Sequence, residues 1–262
     1  MIALEHVSLV RGNRTLVRDA TCALRPGALT VMLGANGAGK TSLVRLMSGE
    51  LEPNRGRVTC SCKSLAQHSR TALARCRAVV SQHTSTPFAF RALDLVLLGR
   101  LPHSRFPSVA DFAIAREAME QAGVTEFAER KVDTLSGGER QRVHLARALA
   151  QLHEARSTGR GLLLLDEPTA HLDLAHQRHA LDLARTIASE GLTVLAVLHD
   201  VNLAATYADE ALLMKDGCIH AIGPAREVLT LARLRETLRV ELEEIPRANG
   251  PSVFVPTRTT AA

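Results

Sequence analysis

The sequence predicts an α/β fold built around a phosphate-binding loop, and three observations carry that prediction. Apolar residues 29–33 read as a buried strand and lead directly into Gly34-Ala35-Asn36-Gly37-Ala38-Gly39-Lys40-Thr41, which fits G-x-x-x-x-G-K-[ST] and opens a helix over 41–47. A second apolar run, Leu162-Leu163-Leu164-Leu165, reads as a buried parallel strand ending in two carboxylates, Asp166 and Glu167. Between the two, residues 83–138 turn mostly helical, like an insertion in an otherwise α/β chain.

Each part of the loop has a chemical reason. The glycines let the backbone curl so that successive N–H groups point at anionic oxygens. Lys40 is expected to reach the β- and γ-phosphates and the Thr41 hydroxyl to ligate Mg²⁺, while the start of the following helix, with Ser42, favours phosphate. A plain glycine-rich turn would account for the glycines but not for Lys and Thr at this spacing. In the acid-tipped strand, a Walker B pattern, Asp166 would hold the Mg²⁺ shell and Glu167 would polarise the attacking water as general base. Four leucines and two acids are weak evidence alone and gain weight downstream of the loop.

Composition narrows the class. A chain of 262 residues with 46% hydrophobic content supports one large domain or two small ones. No apolar run approaches eighteen residues and no signal peptide precedes the first strand, so no membrane span is expected. Five cysteines, an odd number without framework spacing, point to a reducing cytosol. Cys60 and Cys62 would face the same side of a strand, but no second pair makes a metal site of them. The net charge of +5 is carried mostly by arginine, and with one Tyr and no Trp there is little to stack on bases, so no nucleic-acid partner is expected.

In order, residues 2–10 alternate as a half-buried strand, with Ile2, Leu4, His6 and Ser8 against Ala3, Glu5, Val7 and Leu9. Residues 11–14 turn, and 15–24 return as a second strand. After the first helix come a turn at 53–56 and short strands over 58–63 and 78–82. Helices are expected over 91–100 and 110–122, the latter apolar at Phe112, Ile114, Ala115, Ala118 and Met119, with an exposed loop over 102–107 between them. A long helix spans 139–152, and a strand over 193–198 precedes His199. A hairpin over 211–221 turns at Asp216-Gly217. A basic amphipathic helix over 227–240 precedes a strand and a frayed tail. His176 and His179 lie three apart on a helix without a third ligand and read as solvated.

Leu135-Ser136-Gly137-Gly138-Glu139-Arg140-Gln141 opens the long helix. A capping box explains Ser136 and Glu139 but not the paired glycines. A second anion-binding helix start in one chain suggests that it serves a partner subunit's ATP. Set between the phosphate loop and Leu162–Thr169, this stretch resembles the nucleotide-binding subunit of an ABC transporter, over almost the whole chain. The resemblance implies a single cassette over 1–262: a RecA-like core sheet, an antiparallel β subdomain, a helical subdomain at about 83–138 and a C-terminal part at 211–262. It also implies further site residues. Gln82 falls at the Q-loop, sensing the γ-phosphate and Mg²⁺; Asp173 at the D-loop, reaching across a dimer; His199 at the switch histidine. Arg11 stands where many relatives stack an aromatic residue on adenine, which leaves ATP over GTP selectivity less assured. Ala35 replaces a common proline.

The same resemblance implies a head-to-tail homodimer, each ATP lying between one phosphate loop and the partner's Ser136-Gly137-Gly138. It implies two separate membrane permease subunits, docking near residues 83–105, and a periplasmic substrate-binding protein acting indirectly, with the cassette on the cytoplasmic face of a bacterial inner membrane. Two features bear on cargo. Gly99-Arg100-Leu101-Pro102-His103 resembles a stretch of importers for iron–siderophore, haem and cobalamin, and the insertion over 151–161 is similar to haemin-import ATPases. Haemin is the expected cargo, siderophore or cobalamin the alternative. A soluble ABC ATPase of DNA or ribosomes is a further alternative, disfavoured by the single cassette and short helical insertion.

Overall fold

The computed structural model describes residues 2–60, 63–81, 90–170 and 172–257. Its strands run β1 (Ile2–Arg11), β2 (Arg14–Ala23), β3 (Leu29–Leu33), β4 (Arg55–Cys60), β5 (Lys63–Ser64), β6 (Arg77–Val80), β7 (Leu162–Asp166), β8 (Thr193–Val197), β9 (Glu210–Lys215), β10 (Cys218–Pro224), β11 (Leu242–Ile245) and β12 (Val253–Pro256). Its helices are α1 (Lys40–Met47), α2 (Arg70–Cys76), α3 (Ala92–Leu97), α4 (Val109–Gln121), α5 (Gly137–Gln151), α6 (His153–Thr158), α7 (Leu174–Ser189), α8 (Val201–Tyr207), α9 (Ala225–Val228) and α10 (Leu231–Leu238).

The core sheet has the order β10-β9-β3-β8-β7-β6. Every residue of β3, β7 and β8 is buried, as expected of strands covered on both faces. These three are parallel, so their C-terminal ends share one edge, and Met32, Val197 and Asp166 pair in register there. The phosphate loop, Glu167 and His199 follow directly from those ends, where ligands of open α/β sheets gather. A second, antiparallel sheet (β2-β1-β4-β5) packs the apolar residues Ile2, Leu4, Val7 and Leu9 with Leu43, Leu46 and Met47 of α1. Helices α3, α4 and α5 join the larger core on the other face, around Val96, Met119 and Leu149.

Several sequence expectations are corrected. The alternation of β1 changes phase: Ile2 and Leu4 are buried, then Val7 and Leu9, because a bulge intervenes where His6 (φ 50°) and the facing Asp19 (φ 46°) adopt left-handed backbone. The strand expected over 58–63 begins earlier, at Arg55, where pairing to β1 continues and Arg57 meets Glu5 at 2.6 Å. The helix ending at 100 tightens to a 3₁₀ turn over Leu98–Arg100. In α4, Phe112 is 41% exposed and Asp111 is buried in its place. The cause is Arg100, itself 3% exposed, whose Nε donates to Asp111 Oδ1 at 2.8 Å.

Arg100 also donates to Ala150 O and to both carboxylate oxygens of Glu154 in α6, which is the ordered form of the 151–161 insertion. The loop over 102–107 is therefore not wholly exposed: His103 is half-buried, its Nε2 2.9 Å from Gln151 O and its Nδ1 3.3 Å from Glu154. The helix expected over 227–240 is split into α9 and α10 at Leu229-Thr230, and the tail forms a hairpin of β11 and β12. His179 is not simply solvated, since Nε2 lies 2.9 Å from Gln121 O.

Candidate functional site: a phosphate loop beside an acid–imidazole pair

The loop between β3 and α1 is held tightly against its surroundings. A Cβ on Gly34 would stand 2.4 Å from Met214 O, and one on Gly39 the same distance from Leu16 O. Gly39, at φ 99° and ψ 8°, is also the N-cap of α1, a backbone that side chains resist. Asn36 and Gly37 are exposed at the loop's crest, while Ala38 is buried and its carbonyl accepts from Gly217 N. Lys40 is buried, and its ammonium donates to Gly34 O at 2.7 Å and Ala35 O at 3.1 Å. Burial holds its pKa below the usual lysine value, against the opposing charges of Glu167 and Asp166.

Thr41, exposed in the first turn of α1, lines the same cavity as Asp166, and its hydroxyl favours the charged form of that carboxylate. Burial raises the Asp166 carboxyl above its ordinary range; the neighbouring Glu167 adds to this, and Thr41 and Lys40 oppose it. Asp166 Oδ1 is buried without a hydrogen-bond partner. An orphaned carboxylate oxygen beside a hydroxyl is a hard, all-oxygen donor set, which fits Mg²⁺. A cavity of about 80 Å³ opens here, lined by Thr41, Ser48, Glu50, Ser81 and Asp166.

One residue further on, Glu167 adopts φ 58°, a left-handed conformation costing on the order of 1 kcal/mol. Its carbonyl accepts from Gln141 Nε2 at 2.7 Å and from Ala170 N at 3.1 Å, which hold the turn. Its carboxylate Oε1 lies 2.6 Å from His199 Nε2, on the neighbouring strand's end. The carboxylate is mostly covered and the imidazole half exposed, facing a cavity of about 290 Å³ that Thr169, Gln177 and Asp200 also line.

Other residues singled out in the sequence lie apart from this cluster. Ser136 and Glu139 form the capping box of α5, with Ser136 N donating to Glu139 Oε2 at 2.7 Å; that bond holds the Glu139 carboxyl below its usual range. Gly137 is exposed and Gly138 buried. Asp173 caps its own helix, accepting from His176 N at 2.9 Å, with His176 Nδ1 2.8 Å away. Arg11 is exposed at the end of β1, paired with Arg14 across the turn. Gln82, and residues 83–89 of the expected dock, lie outside the described residues. Gln141 was given no role by the sequence, although its place in the first turns of α5 after the paired glycines was a usable signal.

A phosphate loop after β3, two carboxylates at the tip of β7 and a histidine after β8, the strand between them, define a P-loop nucleotide-binding cassette. The family model for ABC transporters matches residues 17–170. The "Hemin import ATP-binding protein HmuV" of Methylobacillus flagellatus is 45% identical over 88% of this chain and 87% of its own, and that of Hahella chejuensis is 43% identical over 94% and 95%. A structure described as an inward-facing conformation of a metal-chelate type ABC transporter superposes with a TM-score of 0.82 at 29% identity, over 99% of this chain and 98% of that one. The chain belongs to the ABC transporter family, as an ATP-binding subunit.

Proposed function

We propose that this chain is the ATP-hydrolysing subunit of a bacterial importer that takes up haemin. The observation carrying the enzymatic part is the 2.6 Å contact of Glu167 with His199, placed beside Lys40, Thr41 and Asp166 at one sheet edge. In this reading residues 34–42 wrap the ATP phosphates, and the Lys40 ammonium exchanges its loop carbonyls for the β- and γ-phosphate oxygens. Thr41 and Asp166, with Gln82, hold Mg²⁺, which when bound supplies charge neutralisation at the phosphates. Glu167 accepts the proton of the attacking water, and His199 orients Glu167 while contacting the γ-phosphate; the displacement is in line and needs no covalent intermediate.

Two copies pair head to tail, so that Ser136-Gly137-Gly138 and Asp173 of one face the ATP of the other, and Arg11 lies along the base. Two permease subunits dock near residues 83–105 of the helical arm, a periplasmic binding protein delivering cargo from the far side. Among the described residues no helix is long and apolar enough to cross a membrane, in keeping with a peripheral subunit on the cytoplasmic face.

For cargo, the support is the haemin-import role named for the relatives together with the Arg100–Glu154 cluster, which unites the two importer-like sequence features. The test is ATP hydrolysis by the chain with its co-purified permease in lipid, with and without a haemin-loaded binding protein. Stimulation specific to haemin is expected; stimulation only by a ferric siderophore or cobalamin would retain the mechanism and move the cargo.

A further inference from the structure

The strand that delivers His199 is fixed on one side: Leu198 N donates to Met32 O at 3.1 Å, tying the end of β8 to the phosphate-loop strand. On the other side the chain enters α8 at once. Asp200 caps that helix, its Oδ1 accepting from Asn202 N at 2.7 Å and Leu203 N at 3.1 Å. The placement of the His199 backbone is thus set by how α8 is held, and the half-exposed imidazole has little covering of its own to correct an error.

Asn202 is the residue of α8 that reaches outward. Its side-chain amide spends both ends on one residue of the C-terminal hairpin: Nδ2 donates to Phe254 O at 3.1 Å and Oδ1 accepts from Phe254 N at 2.8 Å. This two-point bond imitates the paired bonds of a sheet ladder. Phe254 is 5% exposed and belongs to the main core, so the hairpin is a firm anchor. The hairpin pairs only within itself as a two-stranded sheet, and such a ribbon is marginal alone. Arg235 secures its other end through Leu242 O. A cavity of about 820 Å³ runs between α8 and the loop joining the two strands, so the two elements are not packed together along their length. The Asn202–Phe254 bonds bridge them.

We propose that Asn202 is a positioning residue for His199: bonded to the C-terminal ribbon at Phe254, it fixes the start of α8 and with it the approach of the imidazole to Glu167. The inference rests on the ATPase reading given above. It places control of the switch histidine in residues 253–256, far along the chain from any nucleotide motif.

The test is steady-state hydrolysis of Mg²⁺-ATP by the full chain carrying Asn202→Ala, expressed per ATP-binding site, with amide hydrogen exchange measured over 198–207. We expect kcat to fall by about tenfold, KM for ATP to stay within about twofold, and exchange to rise at the start of α8 while α1 is unchanged. Thr206→Ala is the control on the same helix; it removes only the Thr206 hydroxyl bond to Asn202 O and is expected to leave kcat unaltered. Wild-type kcat in Asn202→Ala, unaltered exchange at 199–203, or an equal loss in Thr206→Ala would overturn the assignment. Absence of hydrolysis by the unmodified chain, alone and with its permease, would instead overturn the ATPase reading and this inference with it.

Discussion

Arg100 and Glu154 face each other in a two-point ion pair, the guanidinium donating through Nη1 and Nη2 to both carboxylate oxygens. One residue belongs to the Gly-Arg-x-Pro-His stretch after α3, the other to the insertion that follows α5. Two features that look unrelated along the sequence are one structural unit, completed by Asp111, Ala150 and His103.

Removing Arg100 should therefore be costly. Arg100→Ala would leave Asp111, 5% exposed, as a buried carboxylate that has lost its guanidinium partner, and breaking such a pair typically costs roughly 3–5 kcal/mol. Denaturant unfolding should show a loss of that order, with a smaller one for Glu154→Gln, whose carboxylate is half exposed. A change below about 1 kcal/mol for Arg100→Ala would show that the cluster is dispensable.

His144, on the buried side of α5, predicts an acid-sensitive step. It is 4% exposed, neither ring nitrogen has a hydrogen-bond partner, and burial with the charges of Arg147 and Arg140 lowers its pKa to about 4. Above the unfolded value of about 6.5 both states are neutral and the full stability is present. As pH falls from there towards about 4 only the unfolded chain takes up the proton, so stability drops, by roughly 3 kcal/mol in all. Unfolding free energies of His144→Leu against wild type should differ in slope across that window; parallel curves would contradict the assignment.

Lys40→Ala tests the phosphate loop. The variant should keep the fold, because the ammonium bonds only to carbonyls of its own loop, yet lose ATP affinity by roughly 100-fold. Titration with a fluorescent nucleotide measures it, and unchanged binding would show that the loop is not a nucleotide site.

Much of this was legible beforehand, for identifiable reasons. The phosphate loop, β7 and β8 were readable because each combines a buried apolar run with functional residues at a fixed offset from its end. The phase change in β1 was not, since His6 and Asp19 adopt left-handed backbone that local propensity does not signal. Nor was the burial of Asp111 over Phe112, which depends on a guanidinium eleven residues earlier in the chain. The Asn202–Phe254 bonds span fifty-two residues and leave no periodicity to read. Ser136 and Asp173 show the reverse case: their motifs were plain in the sequence, while in a single chain both side chains are spent on capping their own helices.

The central claim is that Glu167 is the base of an ATP-hydrolysing site, and Glu167→Gln tests it most directly. The amide is isosteric, suits the same backbone and can still meet His199, but it does not accept the proton of the attacking water. Measured together, ATP binding should be retained, hydrolysis should fall by at least about 100-fold, and ATP should trap a stable dimer on size-exclusion chromatography. Turnover at the wild-type rate in this variant would contradict the account.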